Sequence, residues 1–289
     1  MSEQGTIIAA HGRQYRVELT NGEVIACFTR GKKSEVACGD HVTIQRSGDD
    51  QGVIDSVEPR RSLLYRSNAF RQKLIAANVT QIVIVVATEP SFSDELVTRC
   101  LVAADSQDLK ALIVLNKCDL TRLLPSAEGM LAPFARLGYP ILRLSARTDA
   151  NALRPHLAGQ TSVLVGQSGM GKSTLINALV PEAKAITREI SEALDSGKHT
   201  TTHATRYRLD AATALIDSPG LQEFGLHHLA LAEIEHGFRE FSPFTGGCRF
   251  RNCRHDREPD CAIRAALEAG AIDVLVADTP ALKKDAWAV

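Results

Sequence analysis

The chain has 289 residues, with 33 basic and 34 acidic side chains for a net charge of −1. That length allows two or three domains or one large one, and the balanced charge excludes a global pull toward nucleic acid or membrane. The longest strongly apolar runs, such as Ile82-Val83-Ile84-Val85-Val86-Ala87, fall well short of the roughly 18 residues of a membrane helix. Met1-Ser2-Glu3-Gln4-Gly5 has neither the basic nor the apolar region of a signal peptide. The expectation is a soluble, cytoplasmic protein with no membrane contact, in which any RNA-binding surface is a local patch.

From Thr6 to about Arg66 short alternating stretches are separated by turn signals, as in Gln14-Tyr15-Arg16-Val17-Glu18-Leu19 before Asn21-Gly22. Asn-Gly between two such runs is a strong hairpin signal. Four or five short strands in this space predict a small closed barrel over residues 1–66, most simply the five-stranded oligonucleotide-binding type. Arg30, Lys32 and Lys33, then Arg60, Arg61, Arg66, Arg71 and Lys73, gather in and just after it. Singly these read as solvated loop residues; together, on a barrel, they favour an RNA contact surface.

From Gln81 to Leu226 apolar runs of strand length (82–87, 111–115, 141–144, 162–165, 213–216) alternate with helix-like stretches such as Asp94 to Ala104. Continuous Val/Ile/Leu runs predict strands buried on both faces, hence a mainly parallel sheet flanked by helices, assigned to residues 67–226. After the run 111–115 stands Asn116-Lys117-Cys118-Asp119. At a strand's carboxyl end, where open α/β sheets bind ligands, a carboxylate at Asp119 can accept both N1–H and the exocyclic amine of guanine. Adenine offers no matching donor pair. Asn116 would brace the loop, and the Lys117 stem would lie over the purine. Alone, N-K-x-D reads as a surface turn. Ser145-Ala146, after 141–144, would add a backbone N–H toward guanine O6.

Gly166-Gln167-Ser168-Gly169-Met170-Gly171-Lys172-Ser173 fits G-x-x-x-x-G-K-[ST], between the strand 162–165 and a helix beginning at Thr174. Its glycines let backbone N–H groups turn onto phosphate oxygens at a helix N-terminus. Lys172 should reach the β- and γ-phosphates, and Ser173 should ligate Mg²⁺. Paired with this loop, the N-K-x-D segment becomes a guanine reader. Downstream, Asp217-Ser218-Pro219-Gly220 ends a strand, with Asp217 expected to hold Mg²⁺ through water and the Gly220 N–H to sense the γ-phosphate. Between them Gly197-Lys198-His199-Thr200-Thr201-Thr202 should supply a Mg²⁺-ligating threonine, assigned to Thr201. A γ-phosphate that holds both segments and then releases them makes a switch. Leu221 stands where many GTPases carry a water-orienting glutamine, and Gln222 comes one residue late. Hydrolysis is therefore expected to be slow without a partner, and His199 is the in-chain candidate for positioning water, against its reading as a surface histidine.

The segment 227–289 holds Cys248-x₄-Cys253-x-His255-x₅-Cys261 between helical stretches 229–241 and 261–270. Three thiolates and an imidazole suffice for one closed, structural tetrahedral zinc site. A redox centre and unligated core cysteines are the competing readings. Arg249, Arg251, Arg254 and Arg257 share this stretch with Asp256, Glu258 and Asp260, which makes it a second candidate RNA contact.

The base-reading segment precedes the phosphate loop, the reverse of the usual order. With that inversion, the Gly197–Thr202 and Asp217–Gly220 segments and the Cys248/Cys253/His255/Cys261 spacing, nearly the whole chain resembles the RsgA (YjeQ) family of circularly permuted GTPases. The resemblance implies an oligonucleotide-binding barrel, a permuted GTPase and a zinc domain. It implies a monomer that binds the small (30S) ribosomal subunit and its rRNA late in maturation, hydrolyses GTP to GDP when the particle stimulates it, and helps release assembly factors. A scaffold that binds GTP and RNA with incidental turnover, or a paralogue with another RNA target, fits the same motifs. Because residues 197–220 lie directly upstream of the zinc segment, loss of the γ-phosphate is expected to move that segment relative to the barrel.

Overall fold

The computed structural model describes residues 2–11, 14–30, 35–68, 71–183, 204–218, 226 and 229–272. Alternation in the first sixty residues produces the barrel. Its strands are β1 (Ser2–His11), β2 (Gln14–Leu19), β3 (Val24–Thr29), β4 (His41–Arg46) and β5 (Gln51–Val57). They pair β1–β2–β3–β5–β4 and close through β4–β1, with β3–β5 parallel. Every second side chain points inward, so Ile7, Tyr15, Val17, Ile25, Val42 and Ile44 form a core of their own. The expected hairpin turns at Asn21-Gly22, where Leu19 N–H donates to the Glu23 carbonyl at 2.8 Å.

Arg60 departs from the expected basic surface. Its Nε and Nη2 donate to the two carboxylate oxygens of fully buried Asp40 at 2.7 and 2.8 Å, and Asp40 also accepts from Ala37 N–H at 2.7 Å. A buried carboxylate needs such a partner, so Arg60 is committed internally. Arg30 stays exposed, 3.8 Å from Asp55. Lys32 and Lys33 lie outside the described residues, as do the side chains of Arg66, Arg71 and Lys73.

The next element was not anticipated. β6 (Leu63–Asn68) and β7 (Arg71–Ala77) form an antiparallel hairpin in which Arg66 faces Lys73. The expected division after Arg66 therefore falls inside a paired hairpin.

The apolar runs become β8 (Gln81–Ala87), β9 (Lys110–Asn116), β10 (Ile141–Arg143), β11 (Thr161–Val165) and β13 (Ala214–Asp217), with β12 (Thr205–Arg208) added. The order is β10-β9-β8-β11-β13-β12, parallel except for β12, which runs antiparallel to β13. All of β8 is buried, as a central strand covered on both faces must be. The covering helices include α1 (Asp94–Asp105), α2 (Leu124–Arg136), the short α3 (Arg154–Leu157) and α4 (Lys172–Leu179). Ser93 caps α1 by accepting from Leu96 N–H, and Asp94 and Glu95 lie at the positive end of its dipole.

In the last segment the expected helix 229–241 is divided at Gly237 into α5 (Leu231–His236) and a 3-10 turn (Arg239–Phe244) that contains Pro243. α6 (Ala262–Glu268) follows the cysteines. Arg239 anchors this segment to α1. Its Nε and Nη2 donate to the Asp105 carboxylate at 2.9 Å each, and its guanidinium lies 4.0 Å over the Tyr139 ring. Tyr139 donates its hydroxyl to Asp105 at 2.7 Å; burial, then that carboxylate, pushes the phenol well above its ordinary range. The segment that follows β13 in sequence thus sits on the helix leading to Asn116. The barrel meets the sheet at its other edge, where Ala9 of β1 pairs with Thr205 of β12.

Candidate nucleotide site and metal cluster

At the carboxyl end of β11 the chain enters the glycine loop in a conformation that side chains rarely adopt. Gly166 has φ 148°, and a Cβ there would lie 2.2 Å from the Val85 carbonyl; Gly171 has φ 93°, with a Cβ 2.3 Å from Asn116 Nδ2. Only glycine fits either place. The second contact shows how the site is assembled. Buried Asn116 donates through Nδ2 to the Met170 carbonyl at 2.8 Å, and its Oδ1 accepts from Lys117 N–H and Ala146 N–H, both at 2.8 Å. One side chain joins the N-K-x-D segment, the glycine loop and Ser145-Ala146, three stretches that the sequence separates.

Lys117 takes a left-handed φ of 59°. Its Nζ donates to the Glu89 carbonyl at 2.6 Å, while Thr88 Oγ1 donates to the Lys117 carbonyl at 3.0 Å. Cys118 points back, its thiol on the Leu115 carbonyl at 3.1 Å. Asp119 is exposed to solvent, and a hydrogen bond from Ser145, then nearby Arg147 and Lys117, hold its carboxyl below the ordinary range. An ionised acceptor is what a donor pair requires.

The Thr88–Ser93 loop was not foreseen as part of the site. Ser93 N–H donates to Gln167 Oε1 at 2.9 Å, and Pro90 lies against Gly169. The available signal was its place at the carboxyl end of β8 beside two site-bearing strands.

Lys172 opens α4 and donates through Nζ to the carbonyls of Gly166 and Gln167 at 2.6 and 2.8 Å. Ser173 and Thr174 are exposed on the first turn; Met170 is buried beneath, and Ser168 sits exposed on the loop. Burial pushes the Lys172 ammonium below its ordinary range and the Asp217 carboxyl above its own, each partly offset by the other's charge. Asp217, the last residue of β13, stands opposite Leu164 of β11 and Thr205 of β12. Gly197–Thr202, including His199 and Thr201, and Gly220, Leu221 and Gln222 lie outside the described residues.

The four expected metal ligands converge. The ligand atoms of Cys248, Cys253, His255 and Cys261 all lie within 4.8 Å of one another, an arrangement that could hold a metal ion. Cys248 Sγ is 3.9 Å from Cys261 Sγ and 3.6 Å from His255 Nδ1, which is 3.3 Å from Cys261 Sγ. His255 Nε2 lies 3.3 Å from a carboxylate oxygen of Glu235 on α5, a partner that no spacing rule points to. Cys261 also accepts from Arg264 N–H and so caps α6. On the surrounding loop Arg249 pairs with Asp260 at 3.0 Å, and Arg257 lies 3.9 Å from Asp256.

The chain is similar to known proteins along most of its length. A family model described as RsgA GTPase matches residues 57–227. The chain is 53% identical over 271 residues to a Small ribosomal subunit biogenesis GTPase RsgA of Nitrosospira multiformis, covering 94% of this chain and 87% of that one. A protein of the same name from Burkholderia pseudomallei (strain K96243) is 55% identical over 274 residues, covering 93% and 87%. Among solved structures, YjeQ from Thermotoga maritima superposes with a TM-score of 0.71 at 28% identity, covering 96% of each chain. YloQ, described as a circularly permuted GTPase, gives 0.67 at 26%, covering 96% of this chain and 92% of its own. No helix among the described residues is long and apolar enough to cross a membrane.

Proposed function

Because the chain belongs to the RsgA GTPase family, a family of GTP-hydrolysing enzymes, we propose that the Asn116-centred site binds GTP with Asp119 reading guanine and Lys172 holding the phosphates. The observation that carries this reading is the set of three hydrogen bonds made by Asn116. The Asp119 carboxylate accepts from N1–H and the 2-amine, the Lys117 stem covers the purine, and Ala146 N–H lies toward O6. Cys118 turns the loop. Gly166 through Ser173 and Thr174 wrap the phosphates, with the Lys172 ammonium passing from two carbonyls to phosphate oxygens. Ser173, Thr201 and Asp217 are the residues that would hold Mg²⁺; Asp217, partly buried and with its carboxyl raised by burial against the opposing charge of Lys172, suits a divalent cation. That ion supplies charge neutralisation at the phosphates. Gly220 would sense the γ-phosphate, and His199 would orient the attacking water.

The metal cluster suits zinc. Ligands at about 2.3 Å from a tetrahedral centre stand about 3.8 Å apart, close to the separations among Cys248, His255 and Cys261. With Nδ1 facing the thiols, Nε2 lies 3.3 Å from the Glu235 carboxylate without hydrogen-bond geometry, and a small turn of the ring on metal binding would make Glu235 the outer partner that fixes a ligating histidine. Four protein ligands leave no open position, so the ion is structural.

In this reading the protein is a cytoplasmic, monomeric GTPase of small-subunit maturation. It binds the subunit's rRNA through the barrel and the metal-tied loop, hydrolyses GTP when the particle stimulates it, and helps assembly factors leave. The three units are the barrel, the permuted GTPase and the zinc segment (227–289); the limit expected at residue 66 moves back to the end of β5, so that the β6–β7 hairpin stays whole. Turnover measured with and without purified small subunits tests the role: stimulation of about tenfold or more is expected. A flat response would leave a GTP-binding RNA scaffold, the reading that Leu221 favours. His199→Ala should lower turnover by about 10²-fold with GTP affinity nearly intact. An equal fall in affinity would remove His199 from the chemistry.

A further inference from the structure

β12 has four residues, and among the described residues its backbone meets the barrel at one position, Ala9↔Thr205. Three features make this narrow junction specific. First, β1 carries a β-bulge between Ile7 and Ala9. Before it Ser2 to Thr6 pair with β4; after it the strand is re-aimed onto β12. Second, Glu18 of β2 reaches across to Arg206 and Arg208 at 3.5 and 3.2 Å. The Glu18 and Arg206 side chains are only 16% and 17% exposed, so water screens this pair weakly. Burial also depresses the Arg206 guanidinium, which Glu18 counteracts. Third, the junction shares a row with the nucleotide site. Ala9, Thr205, Asp217 and Leu164 stand side by side across four strands. With neighbouring strands about 4.8 Å apart, Asp217 is about 10 Å from the barrel backbone.

We propose that Glu18 and Arg206 are positioning residues for GTP hydrolysis: through β12 they hold Asp217 in register, and so join the barrel to the chemistry. The inference rests on the reading of Asp217 as a nucleotide-site acid. With one backbone bridge among the described residues, the side-chain pair adds the contact that fixes the lateral placement of β12, and β12 in turn borders the end of β13. Neither Glu18 nor Arg206 touches the nucleotide.

The test compares Glu18→Gln with the charge-swapped pair Glu18→Arg with Arg206→Glu in the full chain. For Glu18→Gln, kcat should fall about 3- to 10-fold, while the affinity for a fluorescent GDP, read without turnover, changes less than about twofold. Amides of Thr205 to Arg208 should exchange hydrogen faster, and the swapped pair should recover most of both losses. Unchanged kcat alongside faster exchange would overturn the proposal. So would a parallel fall of kcat, GDP affinity and melting temperature that the swapped pair fails to restore, since that pattern is general destabilisation. The wild-type chain run alongside tests the nucleotide site: GTP turnover supports that reading whatever Glu18→Gln does, and its absence overturns both.

Discussion

Asp119→Asn should weaken GTP binding roughly 10²- to 10⁴-fold and open the site to xanthosine triphosphate. The carboxylate accepts two donors from guanine, each a charge-assisted bond, and losing both accounts for that range. Asparagine keeps one acceptor for N1–H but turns an amide donor toward the 2-amine, and donor meets donor. Xanthine carries a carbonyl at that position, so the same amide finds an acceptor. Ser145 exchanges a charged acceptor for a neutral one, but the Asn116 brace is untouched and the glycine loop should keep its shape. Competition between the two nucleotides for a fluorescent guanine probe reads both effects. Retained GTP preference in the variant would show that Asp119 does not read the base.

Removing the metal should unfold the last segment and leave the nucleotide site standing. Structural zinc contributes an apparent free energy of about 10–16 kcal/mol in small domains at neutral pH, more than a segment of two short helices supplies by packing. A strong chelator, or Cys261→Ser, should abolish slow hydrogen exchange across residues 231–268 while guanine-nucleotide affinity stays within about twofold. Cys261→Ser removes a ligand while its hydroxyl can still accept from Arg264 N–H at the start of α6, so its effect should match that of chelation. The pH dependence has a definite sign: protons compete with the metal for thiolates, so metal retention falls as pH is lowered. Full protection of the segment after chelation would make the cluster dispensable.

Motifs with obligatory chemistry were legible in the sequence. The glycine loop, the N-K-x-D segment and the four metal ligands each need fixed residue types at fixed spacing, and each lies where expected. Alternation predicted the barrel, and apolar runs predicted five of the six strands of the nucleotide-binding sheet. β12 escaped because Thr-Arg-Tyr-Arg is short and half-charged; it is a strand because the barrel and β13 give it neighbours on both edges. The β6–β7 hairpin escaped because its turn carries no Asn-Gly or Asp-Gly signal. Arg60 could not be told from a surface arginine until Asp40 was found buried beside it. Side chains that join distant stretches, such as Glu235 behind His255 and Ser93 on Gln167, leave no local trace. The expected coupling of segment to segment was read along the chain, whereas contacts follow space. The zinc segment rides on α1, and the barrel holds the strand beside Asp217.

The Arg239–Asp105 clasp spans 134 positions, and synthesis runs in one direction. At roughly 5–20 residues per second, Asp105 on α1 waits roughly 7–27 s, and the Tyr139 ring roughly 5–20 s, for the guanidinium that covers them. During that interval the Asp105 carboxylate and the Tyr139 ring lack the cover that Arg239 gives them. The newborn chain thus receives its N-K-x-D segment, its glycine loop and its last latch in that order, and a chain cut short before Arg239 would carry the first two without the third.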